Sequence, residues 1–324
     1  MKDSLDNTVR FLFAHTGMPG MTAAILVPGQ GMWHTDTGFI SKPANKRVDN
    51  TTVFYWASVT KLITASIISQ LIEEHKLTVD NKLVNWFPQI ENANDITIAN
   101  LLEQTSGIYS FNNDSKIFDI NHYYSPNQLL KLAASRKNLF RPGQYWSYSN
   151  TNYLLLALIA EKIEGRKFAR IVQERIATPM HLTSLHILEE NTPAADLALA
   201  HANGQIVKED YSVPLGAGDV LSNANDMVML LYYLMTTKPG LYNRLKDLYP
   251  MPDKGIYYGN GIMLTDFSEI TGSNDIWIGH SGGTETYRAL LVYDTAKKAF
   301  IAISVNAHIS VEACAMKLLG QIGL

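Results

Sequence analysis

Three short segments carry side chains suited to acyl-transfer chemistry. The first is Ser58-Val59-Thr60-Lys61. On a helix, positions i and i+3 share a face, so Lys61 can reach the Ser58 hydroxyl. A serine hydroxyl is a weak nucleophile until a base takes its proton. Partial burial disfavours a charged lysine and would let Lys61 accept that proton. A helix N-terminus at this point adds free N–H groups and the positive end of a dipole. Taken alone the spacing arises on the order of once by chance in a chain of this size, and it also reads as an N-capping serine followed by an exposed lysine.

The second segment is Tyr148-Ser149-Asn150, inside the aromatic stretch from Pro142. A tyrosine beside a lysine can act as general base and then as acid, and an asparagine amide can hold a substrate carbonyl. An aromatic loop packed on the core is the other reading. Tyr258-Gly259-Asn260 competes with it, but lies in an expected strand where close backbone packing accounts for the glycine. The third segment is His280-Ser281-Gly282-Gly283. Glycines there let the backbone approach a ligand, and the Gly283 N–H could pair with that of Ser58 as an oxyanion hole. A tight turn with a structural histidine is the alternative. His15-Thr16-Gly17 precedes the serine and reads as a helix end.

The elements that must position these residues follow from periodicity. Met21 to Val27 and Met32 to Phe39 read as a hairpin, and Val53 to Ala57 leads into Ser58. Helical spacing runs from Lys61 to Leu77, Ile98 to Glu103, Pro126 to Ser135 with Ser125 as N-cap, Asn152 to Ile163 ended by Gly165, Phe168 to Ile176, and Ala224 to Met235. Tyr258 to Leu264, Ile276 to Gly279, Arg288 to Tyr293 and Ala299 to Val305 read as strands, before a last helix from Val311. Strands at both ends and helices between imply one sheet built from both termini with a helical region inserted. The expected division is 1–70 with 211–324 as the sheet-containing region and 71–210 as the helical one, with the site at their junction.

In order and context the three segments resemble the serine β-lactamase and penicillin-binding protein superfamily, which uses Ser-x-x-Lys, then a Tyr-x-Asn or Ser-x-Asn element, then a Lys-Thr-Gly-type strand. Leu101 to Ile108 and Gly218 to Met227 resemble segments of its class C-like branch, and the likeness runs from about Gly20 to Asn306. The resemblance implies an α/β (α+β) fold, an antiparallel sheet flanked by helices. It implies Ser58 as the acylated nucleophile, Lys61 and Tyr148 as proton-transfer partners, and Asn150, His280, Ser281, Gly282 and Gly283 as substrate-binding, with the Gly283 and Ser58 N–H groups as the oxyanion hole. It leaves open which of Lys61 and Tyr148 is the base. His280 stands where many members carry lysine, Gln104 where histidine is frequent, and Thr286 where glycine is common. The His-x-Gly form resembles class C-like peptidases, D-aminopeptidases and esterases more than true β-lactamases. Arg288 reads either as a carboxylate ligand or as a solvated strand arginine.

The expectation is a serine acyl hydrolase acting on a peptide ending in a D-amino acid or a related amide, with β-lactams as candidate ligands. Alternatives are a carboxylesterase or acyltransferase at the same site, or a binding protein without catalysis. Composition agrees with a folded enzyme: 324 residues, 46% hydrophobic and 18% charged, enough to bury a large core. Lys+Arg 27 against Asp+Glu 30 offers no basic surplus for a nucleic acid. One cysteine, Cys314, permits no intrachain disulfide and reads as a buried inert thiol. No His-x-x-x-His pair suggests a metal and nothing calls for a cofactor. No run of about 18 apolar residues suggests a membrane span, and the start lacks the apolar core of a signal peptide. Export with a leader removed, or a cytoplasmic location, are the two expectations.

Overall fold

Strands from the two ends of the chain meet in a single sheet. A computed structural model describes residues 1–114, 123–188, 195–209, 215–236, 248–268, 272 and 274–323. In chain order its strands are β1 (Gly20–Val27), β2 (Gly31–Ser41), β3 (Lys46–Arg47), β4 (Phe54–Tyr55), β5 (His186–Ile187), β6 (His201–Ala202), β7 (Gln205–Ile206), β8 (Val220–Ser222), β9 (Tyr249–Pro250), β10 (Ile256–Gly259), β11 (Ile262–Asp266), β12 (Ile276–Gly283), β13 (Arg288–Asp294) and β14 (Ala299–Val305). The helices are α1 (Lys2–Thr16), α2 (Thr60–Glu73), α3 (Ile98–Leu102), α4 (Pro126–Ala134), α5 (Asn150–Glu164), α6 (Phe168–Val172), α7 (Ala224–Thr236) and α8 (Val311–Leu319).

The main sheet has the order β3-β2-β1-β14-β13-β12-β11-β10-β9, and its pairings are antiparallel. The first and last thirds of the chain join where β1 pairs β14, with Ala24 opposite Ala302. Side chains of a strand alternate between faces. Met21, Ala23 and Ile25 therefore pack with Leu5, Val9 and Leu12 of α1 and with Cys314 and Leu318 of α8. Ala24, Phe300 and Ala302 belong to the larger core on the other face, with Ile63 and Ile67 of α2, Leu154 of α5 and Leu231 of α7. Cys314, on the α1 and α8 face, is buried, its pKa raised to about 11 by burial.

Local signals set the helix ends. Ser125 and Gln128 form a reciprocal capping box with Pro126 in the first turn. Gly165 closes α5 with φ 67°, in the left-handed region that glycine enters without strain. Two expectations need correction. The stretch Tyr258 to Leu264 is a hairpin of β10 and β11, not one strand, because Asn260 (φ 52°) and Gly261 (φ 77°) turn the chain. Asn-Gly is the strongest short signal for a two-residue turn with both φ positive. The helix expected over Phe168 to Ile176 is α-helical only to Val172 and continues as a π-helical turn over Gln173–Ala177. The boundary expected at 210–211 lies outside the described residues.

Candidate active site

Ser58 sits in a 3₁₀ turn, Ala57–Val59, that joins β4 to α2. The preceding Ala57 has φ 44°, uncommon for a residue with a Cβ. Such a conformation persists only where the surroundings over-determine it, and here they do. Trp56 is fully buried, its backbone N–H donating to Val220 O and its indole Nε1–H to Ser222 O at 2.9 Å. Thr60 Oγ1 donates to Ala57 O at 2.7 Å and accepts from Val220 N at 3.0 Å. The turn is therefore fastened from both sides, while Ser58 itself stays partly exposed.

Lys61 lies one helical turn further on, fully buried. Its Nζ stands 3.0 Å from Ser58 Oγ and donates to Ala217 O at 2.5 Å. Burial holds its pKa well below the ordinary lysine value, with the Asp219 charge opposing that shift. The Tyr148 ring lies 4.9 Å from Lys61 Nζ. Burial pushes the Tyr148 phenol above its ordinary value, and a hydrogen bond with Ser58 pulls the other way. The structure thus brings Tyr148 from far along the chain to the neighbouring pair Ser58 and Lys61.

The Tyr148 loop is held by Gln104. Its side-chain Oε1 accepts from Ser149 N at 3.0 Å and Asn152 Nδ2 at 2.6 Å, and its backbone carbonyl accepts from Ser147 N at 2.9 Å. Asn150 opens α5, its backbone N–H donating to Ser110 Oγ at 2.9 Å; its side-chain Oδ1 is buried with no hydrogen-bond partner among the described residues.

The third segment forms the end of β12. That strand pairs with β11 only as far as Gly279, opposite Met263, and continues to Gly283 against β13 alone. Gly282 passes directly against the Ser58 turn: a Cβ there would stand 2.3 Å from Trp56 O and 3.0 Å from Ser58 N. At Gly283 a Cβ would collide with the Arg288 guanidinium. Arg288 is not a free solvated arginine. Its Nη1 donates to Thr284 O and Tyr287 O, and its Nη2 lies 2.9 Å from His308 Nε2. Ser281 Oγ approaches Met263 Sδ at 3.5 Å.

His280 is buried. Its Nδ1 contacts Ser281 O, which can only accept, so Nδ1 carries the proton; Nε2 then accepts from Tyr258 OH at 3.4 Å. Burial first, and the nearby Lys61 second, lower its pKa to about 3. It is a neutral side chain packed edge-on to the buried Tyr258 ring.

Several supporting residues were not assigned to the site from sequence. Tyr258, set aside there, packs edge-on against both Tyr148 and His280. Gly261, in the β10–β11 turn, abuts Lys61 O, where a Cβ would stand at 2.7 Å; its Asn-Gly dipeptide was a legible signal. The 216–219 turn overlaps the Gly218 to Met227 segment that carries part of the resemblance, but nothing in that segment announces its contact with Lys61. Among the described residues no group of three or more His, Cys, Asp or Glu could hold a metal ion, and no helix is long and apolar enough to cross a membrane.

A family model described as Beta-lactamase matches residues 5–319. The chain is 27% identical over 215 residues to "Putative penicillin-binding protein PbpX" of Bacillus subtilis, covering 64% of this chain and 53% of that protein. It is 24% identical over 228 residues to "Teichoic acid D-alanine hydrolase" of Staphylococcus aureus, covering 66% and 54%. The chain spans about half the length of these curated relatives. The crystal structure of D-amino acid amidase from Ochrobactrum anthropi SV3 complexed with L-phenylalanine superposes with a TM-score of 0.85 at 19% identity, covering 98% of this chain and 97% of that one, a likeness of fold. With its antiparallel sheet, flanking helices and a match over nearly its whole length, the chain belongs to the beta-lactamase family.

Proposed function

We propose that this protein is a serine acyl hydrolase working through an acyl-enzyme, with the site at the junction of the sheet-containing residues 1–70 and 211–324 and the helical residues 71–210. The observation that carries the reading is the 3.0 Å approach of a fully buried Lys61 Nζ to the Ser58 hydroxyl. A lysine whose pKa is lowered has a neutral amine able to take the serine proton, whereas a tyrosine whose pKa is raised stays protonated. Lys61 is then the base and Tyr148 a proton donor. Ser58 Oγ bonds to the substrate carbonyl carbon as its proton passes to Lys61. The carbonyl oxygen becomes an oxyanion held by the Ser58 and Gly283 N–H groups. When it collapses, the leaving group departs with a proton supplied through Tyr148, which Lys61 replenishes. Water then releases the acyl group by the reverse proton path. Asn150 and the 280–283 strand would line the substrate channel.

The substrate class we propose is a peptide ending in a D-amino acid or a related D-amino acid amide. This rests on family membership and on the similarity to proteins described as a D-alanine hydrolase and a D-amino acid amidase. A second reading, carboxylesterase or acyltransferase, draws on His280: a neutral, buried imidazole offers no ammonium at that position to draw a substrate carboxylate. Intact mass after mixing with a penicillin and, separately, with an activated ester tests both readings in wild type and Ser58→Ala. A Ser58-dependent penicillin adduct is the expected result. Ester turnover alone moves the assignment to the second reading. Turnover that survives Ser58→Ala rejects Ser58 as nucleophile.

A further inference from the structure

The chain at 216–220 is bonded to α2 at three points and passes close against α5. Thr64 Oγ1 donates to Gly216 O at 2.6 Å, Lys61 Nζ to Ala217 O, and Val220 N to Thr60 Oγ1. Gly216 has φ +71°, and a Cβ there would lie 2.5 Å from Ala157 Cβ and 3.2 Å from Tyr153 O, so no other residue fits the passage between the two helices. Asp219 closes the turn on itself, its Oδ2 accepting from Gly216 N at 3.0 Å, and its backbone carbonyl accepts from Leu188 N at 2.8 Å. Asp219 and Lys61 are both fully buried. A carboxylate is rarely buried completely without a charge partner.

The groups facing Lys61 come from every element packed on it. Ser58 stands at 3.0 Å, and the rings of Tyr148 and Tyr153 at 4.9 and 5.7 Å. His280 acts on it from β12, and Asp219 from the 216–219 turn. The tyrosines and His280 are neutral, so among these groups Asp219 alone brings a negative charge.

We propose that the 216–219 turn is a receptor for the Lys61 side chain, with the Ala217 carbonyl fixing its orientation and Asp219 a positioning residue that lets Lys61 hold the proton taken from Ser58. The proposal rests on the serine-hydrolase reading. In the acylation step, the Ser58 O–H bond breaks and a new N–H bond forms on Lys61. The resulting ammonium is compensated at once by a carboxylate already in place. Without that charge the buried ammonium is poorly supported and proton transfer becomes uphill.

The test uses Asp219→Asn, which keeps an acceptor for Gly216 N and removes only the charge, with Asp219→Glu as a second variant. Two readouts are taken. One is the pH dependence of kcat/KM on an activated ester. The other is the titration of Lys61 followed by NMR of ε-13C-labelled lysine, assigned by its loss in Lys61→Arg. The proposal expects Lys61 to titrate lower in Asp219→Asn by about one pH unit or more, a tenfold change in its protonation equilibrium. The acid limb of kcat/KM should move down with it, and Asp219→Glu should restore most of the wild-type value. A lowered rate with neither titration nor limb moved overturns it, as does loss of folding in both variants, which assigns Asp219 to structure alone. If the wild type shows no Ser58-dependent turnover, the hydrolase reading fails and the catalytic role proposed here falls with it. The NMR titration still reports separately whether Asp219 governs Lys61.

Discussion

Gly282 and Ser58 are in backbone contact: a single Cβ on the glycine would stand 3.0 Å from the serine amide nitrogen. The strand end and the Ser58 turn are therefore packed with no space for a side chain. Gly282→Ala must push β12 and the Ser58 turn apart, against the neighbouring Trp56 O at 2.3 Å. Overpacking of this kind costs about 1–3 kcal/mol. We expect a lower melting temperature and a fall in turnover of roughly 100-fold, since a displacement near 1 Å at the reacting atoms has that effect. Wild-type turnover by this variant would show that the contact does not set the site.

Gln104 links α3 to the loop that carries Tyr148. Replacing it with alanine leaves Ser149 N and Asn152 Nδ2 without their shared acceptor. Each buried donor left unsatisfied costs about 1–3 kcal/mol, so Gln104→Ala should lose about 2–6 kcal/mol in denaturant unfolding. Turnover should fall as well, because the Tyr148 loop loses its brace. Unchanged unfolding would mean that water or a shifted loop supplies the missing acceptor.

His280 gives the protein an acid-side weakness. Its pKa in the folded state is about 3, against the ordinary 6.5. Between those values the unfolded chain binds the proton and the folded chain does not, so stability rises with pH there. Its full stability is present above about pH 6.5 and is lost progressively as the pH falls toward 3. A displacement of this size corresponds to roughly 5 kcal/mol at the acid end. Unfolding followed from pH 7 to 3 should show a shallower decline in His280→Gln than in wild type. Parallel curves would mean that His280 does not titrate differently on folding.

Lys61 and Asp219 are both fully buried, and the Asp219 charge acts on Lys61. Lys61→Met fills similar space but takes the Lys61 charge away from the buried Asp219 carboxylate. Removing one partner of a buried charge pair costs about 3–5 kcal/mol. This variant should melt lower at neutral pH and lose Ser58 acylation by a penicillin or ester. An unchanged or higher melting temperature would show that desolvation of Lys61 outweighs its interaction with Asp219.

Much of the architecture was legible in local pattern. The apolar runs Met21 to Val27 and Ala299 to Val305, helical spacing from Lys61, the Ser125-Pro126 start and the Gly165 stop are properties of neighbouring residues, and they appear as β1, β14, α2, α4 and α5. The β10–β11 hairpin was missed although Asn260-Gly261 signals it, because the apolar run from Tyr258 was read without its turn.

The site divides in the same way. The sequence by itself determined the residue types and the i, i+3 spacing that lets Lys61 meet Ser58, since helix geometry is local. Only the tertiary structure decided that Lys61 is fully buried, that His280 is neutral and turned to Tyr258, and that Arg288 is bound to Thr284 and His308. Desolvation and Coulomb fields depend on what the chain folds over a residue, not on its neighbours in sequence. Gln104 bracing Ser149 and the 216–219 turn receiving Lys61 link segments 45 and 156 residues apart. No local pattern records such contacts; packing of α2, α5 and the sheet creates them.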